Sequence, residues 1–163
     1  MSNDDLDALA VLVGARLKSQ HLVLATAESC TGGWAAQAVT SVSGSSEWFE
    51  RGFVTYSNDA KREMLGVRAE TLERFGAVSE ETAREMALGA VARSRADVAA
   101  AITGVAGPTG GTPEKPVGLV CFAWALKSGR VDALTQRFGG DRAEVRRQSV
   151  AVALRGVLDR VGG

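Results

Sequence analysis

The sequence predicts an α/β protein, a three-layer α/β/α sandwich around a mixed, mostly parallel central sheet. Three observations predict it. Apolar runs of strand length alternate with stretches of helical periodicity, the pattern expected when helices cover a sheet. The last two strand candidates, 117–126 and 131–138, are joined only by Lys127-Ser128-Gly129-Arg130, a hairpin signal that requires an antiparallel pair. No repeat, linker or low-complexity tract interrupts the chain, so residues 1–163 read as a single domain. A domain of that size buries roughly 70% of its unfolded surface and folds without disulfide or metal.

Residues 3–20 read as an amphipathic helix with Leu6, Leu9, Ala10, Val13 and Leu17 on one face and Ser2 or Asn3 as its cap. The stretch from Leu22 to Gly33 begins as a buried strand and breaks at Ser29 and Cys30 into a tight turn. A helix follows, with Trp34, Ala35, Ala38, Val39 and Val42 on its apolar face. Ser41 to Glu47 is loop material, and 52–56 a second strand. Ser57-Asn58-Asp59 starts a short helix that Gly66 ends, and 69–75 is another, stopped by Gly76. Ser79 opens a longer helix with Ala83, Met86, Ala87, Ala90 and Val91 inward, and 98–102 is a buried strand. Thr103 to Pro113 holds four glycines and two prolines and is a loop. The last helix runs from about Arg142 to Val161, with Asp141 as cap and Glu144 completing a capping-box-like pair.

Composition narrows the function. An apolar share of 45% and a charged share of 23% are ordinary for a soluble protein. A formal net charge of zero and few aromatics argue against nucleic-acid or membrane-surface binding. Cys30 and Cys121, far apart in the chain, form no disulfide framework, and no signal peptide or spanning helix is evident, so a cytoplasmic setting is expected. With one histidine and no cysteine pair at zinc spacing, no metal and no other cofactor is expected.

The chemistry centres on Ser29. At a strand-to-helix turn it can serve as a nucleophile beside backbone N–H groups, or it can simply cap the helix, as can Thr31. His21 lies on the order of 25 Å away along the strand, too far to take its proton. Lysine is the other partner a serine can use. Lys61 sits in the first turn of a helix, where the dipole disfavours its charged form and partial burial adds to the effect; the alternative is a solvated surface lysine. Tyr56 can relay a proton, orient Lys61 or substrate, or pack at a strand end. Cys30 is a rival nucleophile or a small buried hydrophobe. The glycine loop is neither a P-loop nor a dinucleotide fingerprint, yet it leaves a strand exit, the usual ligand position in α/β sheets. Arg142, Arg146 and Arg147 can bind a phosphate or form a solvated face with Asp141 and Glu144.

Four blocks in order carry a resemblance. They are Ala27-Glu28-Ser29-Cys30-Thr31-Gly32-Gly33, Gly52-Phe53-Val54-Thr55-Tyr56-Ser57-Asn58 with Lys61, Gly76-Ala77-Val78-Ser79, and Thr103-Gly104-Val105-Ala106-Gly107-Pro108 with Gly110 and Gly111. Together they resemble the CinA C-terminal domain family, the nicotinamide-nucleotide amidases, over nearly the whole chain in a stand-alone form. The resemblance implies hydrolysis of nicotinamide mononucleotide to nicotinic acid mononucleotide and ammonia, as in pyridine nucleotide salvage, by a metal-free Ser–Lys mechanism. On the matching positions Ser29 is the nucleophile, Lys61 the general base and Tyr56 stands beside them. Glu28, Cys30, Thr31, Gly32, Thr103, Gly104, Gly107 and Arg142 are the candidate substrate-binding residues. Backbone N–H groups of Cys30 to Gly32, and of Gly104 to Gly107, are the candidate oxyanion donors; Glu28 either faces the pyridinium or caps the helix. A homodimer or higher homo-oligomer is expected. Two other readings stay open: a non-catalytic nucleotide-binding module, and a thiol hydrolase using Cys30.

Overall fold

The computed structural model describes residues 3–162. Its elements run α1 (Asn3–Ser19), β1 (Leu24–Glu28), α2 (Trp34–Thr40), β2 (Phe49–Val54), α3 (Asn58–Leu65), α4 (Ala69–Phe75), α5 (Glu80–Ala92), β3 (Val98–Gly104), β4 (Leu119–Leu126), β5 (Val131–Arg137) and α6 (Arg142–Arg160). The strands form one sheet in the order β2-β1-β3-β4-β5. β1 pairs in parallel with β2 and β3, while β4 is antiparallel to both β3 and β5, so β4 alone runs against the rest. The sheet is mixed, as expected. No helix among the described residues is long and apolar enough to cross a membrane.

The pleat sorts the core into two unlike faces. Leu24, Val98, Ile102, Val120, Phe122 and Trp124 point to one side and meet α1, α2 and α6. The alternating residues Ala25, Ala27, Ala99, Ala101, Ala123 and Ala125 point to the other and meet α5, with Leu65 of α3 and Leu72 of α4 alongside. Period-two alternation of large and small side chains thus lets α5 lie close on the alanine face. The apolar stripe of α1 is as expected: Leu6, Ala10, Val13 and Leu17 are buried. The cap expected from Ser2 or Asn3 rests on side chains outside the described residues.

Several details differ from the sequence reading: β3 runs on to Gly104, β4 starts at Leu119, β5 ends at Arg137 and α2 ends at Thr40, short of Val42. β1 continues through Thr26 and Glu28, because these polar residues are themselves buried. β2 starts at Phe49, where a register shift between Leu24 and Ala25 extends the parallel pairing, and it ends before Thr55 and Tyr56. Asp141 caps α6 by accepting from the Glu144 N–H at 2.9 Å, but no capping box forms, since the Glu144 carboxylate pairs with Arg147. Ser57 and Ser79 cap α3 and α5 in the expected way.

One helix–sheet contact has no slack. A Cβ at Gly156 of α6 would fall 2.1 Å from the Trp124 indole, which is 2% exposed and donates from Nε1 to the Ala153 carbonyl at 2.9 Å. Gly156→Ala should therefore lower the unfolding free energy by about 2 kcal/mol in urea titrations. A change below about 0.5 kcal/mol would mean that the ring yields freely.

Candidate active site

Because β1, β2 and β3 are parallel, their C-terminal ends lie together, and the segments that leave them build the site. Ser29 follows β1 and its N–H donates to the Ile102 carbonyl of β3 at 2.9 Å. The Gly32 N–H donates to the Ser29 carbonyl at 3.0 Å, closing a β-turn over Ser29–Gly32. Gly32 and Gly33 then take φ of +60° and +106°, the left-handed region that glycine enters without penalty, and the chain drops into α2. The serine is half-buried.

The partner arrives from the opposite layer. Lys61 of α3 is 2% exposed, and its Nζ lies 3.0 Å from Ser29 Oγ and 2.9 Å from the Thr55 carbonyl oxygen. Burial holds its ammonium below the ordinary lysine range, against a smaller opposing influence of Cys30. The sequence expected the helix dipole to lead and burial to add; burial is the dominant cause. Thr55 escaped the sequence reading, because its contribution is a main-chain oxygen that no side-chain signal announces. The neighbouring Cys30 is buried, and burial pushes its thiol up to about 11, with the Arg146 charge acting in the other direction. It therefore stays protonated at neutral pH and is a poor nucleophile.

Ser29 and Cys30 open into a cleft of about 290 Å³ with Tyr56, Val78, Arg142 and the loop residues Gly104, Val105, Ala106, Gly107, Thr109 and Gly110. Arg142 ties its walls together. Nη1 donates to the Gly107 carbonyl at 2.8 Å and Nη2 to the Tyr56 hydroxyl at 3.0 Å. Tyr56 is thus bonded to Arg142 and not to the Ser29–Lys61 pair. Val78, Thr109 and Gly110 line the cleft without having been singled out as contacts, whereas Val105 and Ala106 fall within the stretch expected to supply backbone donors.

Of the candidate binding residues, Glu28, Thr31 and Thr103 are buried away from the cleft, and the exposed Gly32 lies outside its lining. Glu28 is fully buried and accepts from the Thr31 hydroxyl at 2.6 Å and from the Ala35 and Ala36 N–H groups at 2.8 and 3.0 Å. It caps α2 and does not face a pyridinium. Thr31 is buried in that same bond. The Gly32 N–H is engaged by Ser29, and the Thr103 hydroxyl donates to the Ala77 carbonyl at 2.8 Å. Among the oxyanion candidates, Val105 is likewise engaged, donating to the Leu119 carbonyl at 2.9 Å. Arg146 and Arg147 do not present a phosphate site: Arg146 binds the Cys30 and Thr31 carbonyls, Arg147 pairs with Glu144, and both lie over Trp34. His21 is exposed at the far end of β1. Among the described residues no group of three His, Cys, Asp or Glu is placed to hold a metal.

An α/β sheet that holds a serine at a strand-to-helix turn against a buried lysine defines the class. The chain matches the CinA C-terminal domain family over residues 6–161 and belongs to it. It is 54% identical over 154 residues to the nicotinamide-nucleotide amidohydrolase PncC of Escherichia coli K12, covering 94% of this chain and 93% of that one. Identity to the PncC of Pseudomonas putida is 50%, covering 95% and 96%. The crystal structure of the competence/damage inducible protein CihA from Agrobacterium tumefaciens superposes with a TM-score of 0.94 at 49% identity, covering 98% of this chain and 96% of that one.

Proposed function

We propose that this chain hydrolyses the carboxamide of nicotinamide mononucleotide, releasing ammonia and nicotinic acid mononucleotide. The observation that carries the reading is the 3.0 Å approach of a buried, charge-disfavoured lysine to a serine at the mouth of a cleft. The high identity to proteins named nicotinamide-nucleotide amidohydrolase supplies the substrate class.

In this mechanism neutral Lys61 donates one N–H to the Thr55 carbonyl, which turns its lone pair toward the Ser29 hydroxyl. The lysine takes that proton as Oγ attacks the amide carbon. Lys61 returns it to the departing nitrogen, ammonia leaves, and a water activated by the same amine resolves the acyl-enzyme. Arg142 uses two of its five donors on Gly107 and Tyr56, so the others can hold the nucleotide phosphate at the cleft mouth. Turnover by this route is the alternative to a passive nucleotide module, and the protonated Cys30 argues against the thiol route.

Ser29→Ala removes the nucleophile but leaves the cleft intact. It should abolish ammonia release from nicotinamide mononucleotide while a titration still detects nucleotide binding. Undiminished release by Ser29→Ala, with loss in Cys30→Ala, would move the chemistry to the thiol. Binding without any turnover by the unaltered protein would leave only the passive module.

A further inference from the structure

The connection from α4 to α5 is pinned at three successive carbonyls, each held by a side-chain donor. Lys115 Nζ donates to the Phe75 carbonyl. Ser79 Oγ and Thr82 Oγ1 donate to the Gly76 carbonyl at 2.9 and 2.7 Å, and Thr103 Oγ1 donates to the Ala77 carbonyl at 2.8 Å. The next residue, Val78, is half-buried and packs on the alanine face of the sheet. Ser29 hangs from the neighbouring residue of β3, since its N–H binds the Ile102 carbonyl at 2.9 Å. Val78 and Ser29 therefore flank the same end of β3.

Val78 lines two cavities. One is the catalytic cleft of about 290 Å³. The other, of about 370 Å³, adjoins it and is bordered by Phe75, Leu119, Cys121 and Thr135. Among the described residues no other lines both. Two features of the cleft direct the amide end of a nucleotide to this wall. Lys61, which returns the proton to the departing nitrogen, comes from α3, in the layer that Val78 shares. Arg142, whose remaining donors can hold the phosphate, comes from α6 in the opposite layer. A nucleotide lying between the two turns its leaving nitrogen toward Val78.

We propose that Val78 is a specificity-determining residue. Its isopropyl group closes the catalytic cleft at the leaving nitrogen and limits the substrate to a primary carboxamide, so that the group released is ammonia. The cavity beyond it is the room that an N-alkyl substituent would need. The proposal rests on the reading of Ser29 and Lys61 as the amidase pair. A hydrophobic wall discriminates a single methylene by about 10- to 200-fold, so two methyl groups suffice to set this limit. The pinned carbonyls give the wall its selectivity, because a segment free to retreat would admit the larger group at little cost.

The test uses the full chain and compares nicotinamide mononucleotide with its N-propyl amide, following release of ammonia or propylamine. The ratio of kcat/KM for the primary over the propyl amide should fall about 10²-fold in Val78→Ala, through a gain on the propyl amide. A merely structural defect would lower both values together and leave the ratio where it was. Val78→Thr keeps the branched shape of the wall and should hold the ratio within about threefold. Val78→Ile, which adds one methylene, decides the matter if the alanine variant does not fold: it should raise the ratio for the primary over the N-methyl amide about 10-fold. An unchanged ratio in folded Val78→Ala or in Val78→Ile, or a ratio that collapses equally in Val78→Thr, would overturn the proposal. If the unaltered protein releases no ammonia from the primary amide, the amidase reading falls first; if it does and the variants keep its preference, only the role of Val78 falls.

Discussion

Lys61→Met is expected to lower kcat for ammonia release by about 10³-fold, the usual contribution of a positioned general base. Methionine keeps most of the length of the side chain and supplies no proton acceptor of comparable basicity. Lys61→Arg should be equally inactive, because a guanidinium has no neutral form to take a proton at accessible pH. An active arginine variant would show that a cation, not proton transfer, is what the reaction needs. The pH dependence follows from the same burial. With the Lys61 ammonium held below the ordinary lysine range, the active neutral amine accumulates as pH rises through that lowered value, so kcat/KM should climb there. A limb at the pKa of a free lysine, about 10.4, would contradict the assignment.

Stability carries the matching sign. Between the lowered folded value and the unfolded value of about 10.4, the unfolded chain binds one more proton than the folded one, so stability rises with pH. Below that window both states are protonated and the burial penalty is constant. The difference between the unaltered protein and Lys61→Met in urea unfolding should therefore shift in favour of the lysine as pH is raised. A difference that stays flat across the alkaline range would mean that the amine is not desolvated by folding.

Gly89→Ala should be the most damaging of the single-methyl additions. In an isolated helix that change helps by about 1 kcal/mol. Here a Cβ would fall 1.9 Å from the Leu65 carbonyl oxygen, a backbone atom at the end of α3 that cannot swing aside as a side chain does. α3 and α5 must separate, and a net loss of about 3 kcal/mol is expected, at the upper end for overpacking. α3 also carries Lys61, so the displacement should reach the 3.0 Å contact with Ser29. kcat should fall together with the unfolding midpoint. Normal turnover in a destabilised Gly89→Ala protein would show that α3 is held at the site by Lys61 itself and not by its packing on α5.

The sequence by itself determined the alternation of strands and helices, the hairpin of β4 and β5, and the serine caps of α3 and α5. Each depends on local pattern, so no long-range contact is needed to see it. The Ser29–Lys61 pairing came with the resemblance to one family, which rested on short blocks read in order that survive without knowing how they meet in space; position alone left Lys61 open as a surface lysine. What only the tertiary structure decided is where polar groups go once the layers close. The sequence leaves Glu28 either facing substrate or capping the helix; its oxygens meet the α2 N–H groups in a dry interior, where unpaired donors are costly, so it is the cap that forms. Arg146 reads either as a phosphate ligand or as part of a solvated face, yet the packing of α6 leaves it beside two turn carbonyls. The depressed basicity of Lys61 has the same origin. Burial is set by residues distant in sequence, and it is burial that turns an ordinary lysine into a candidate base.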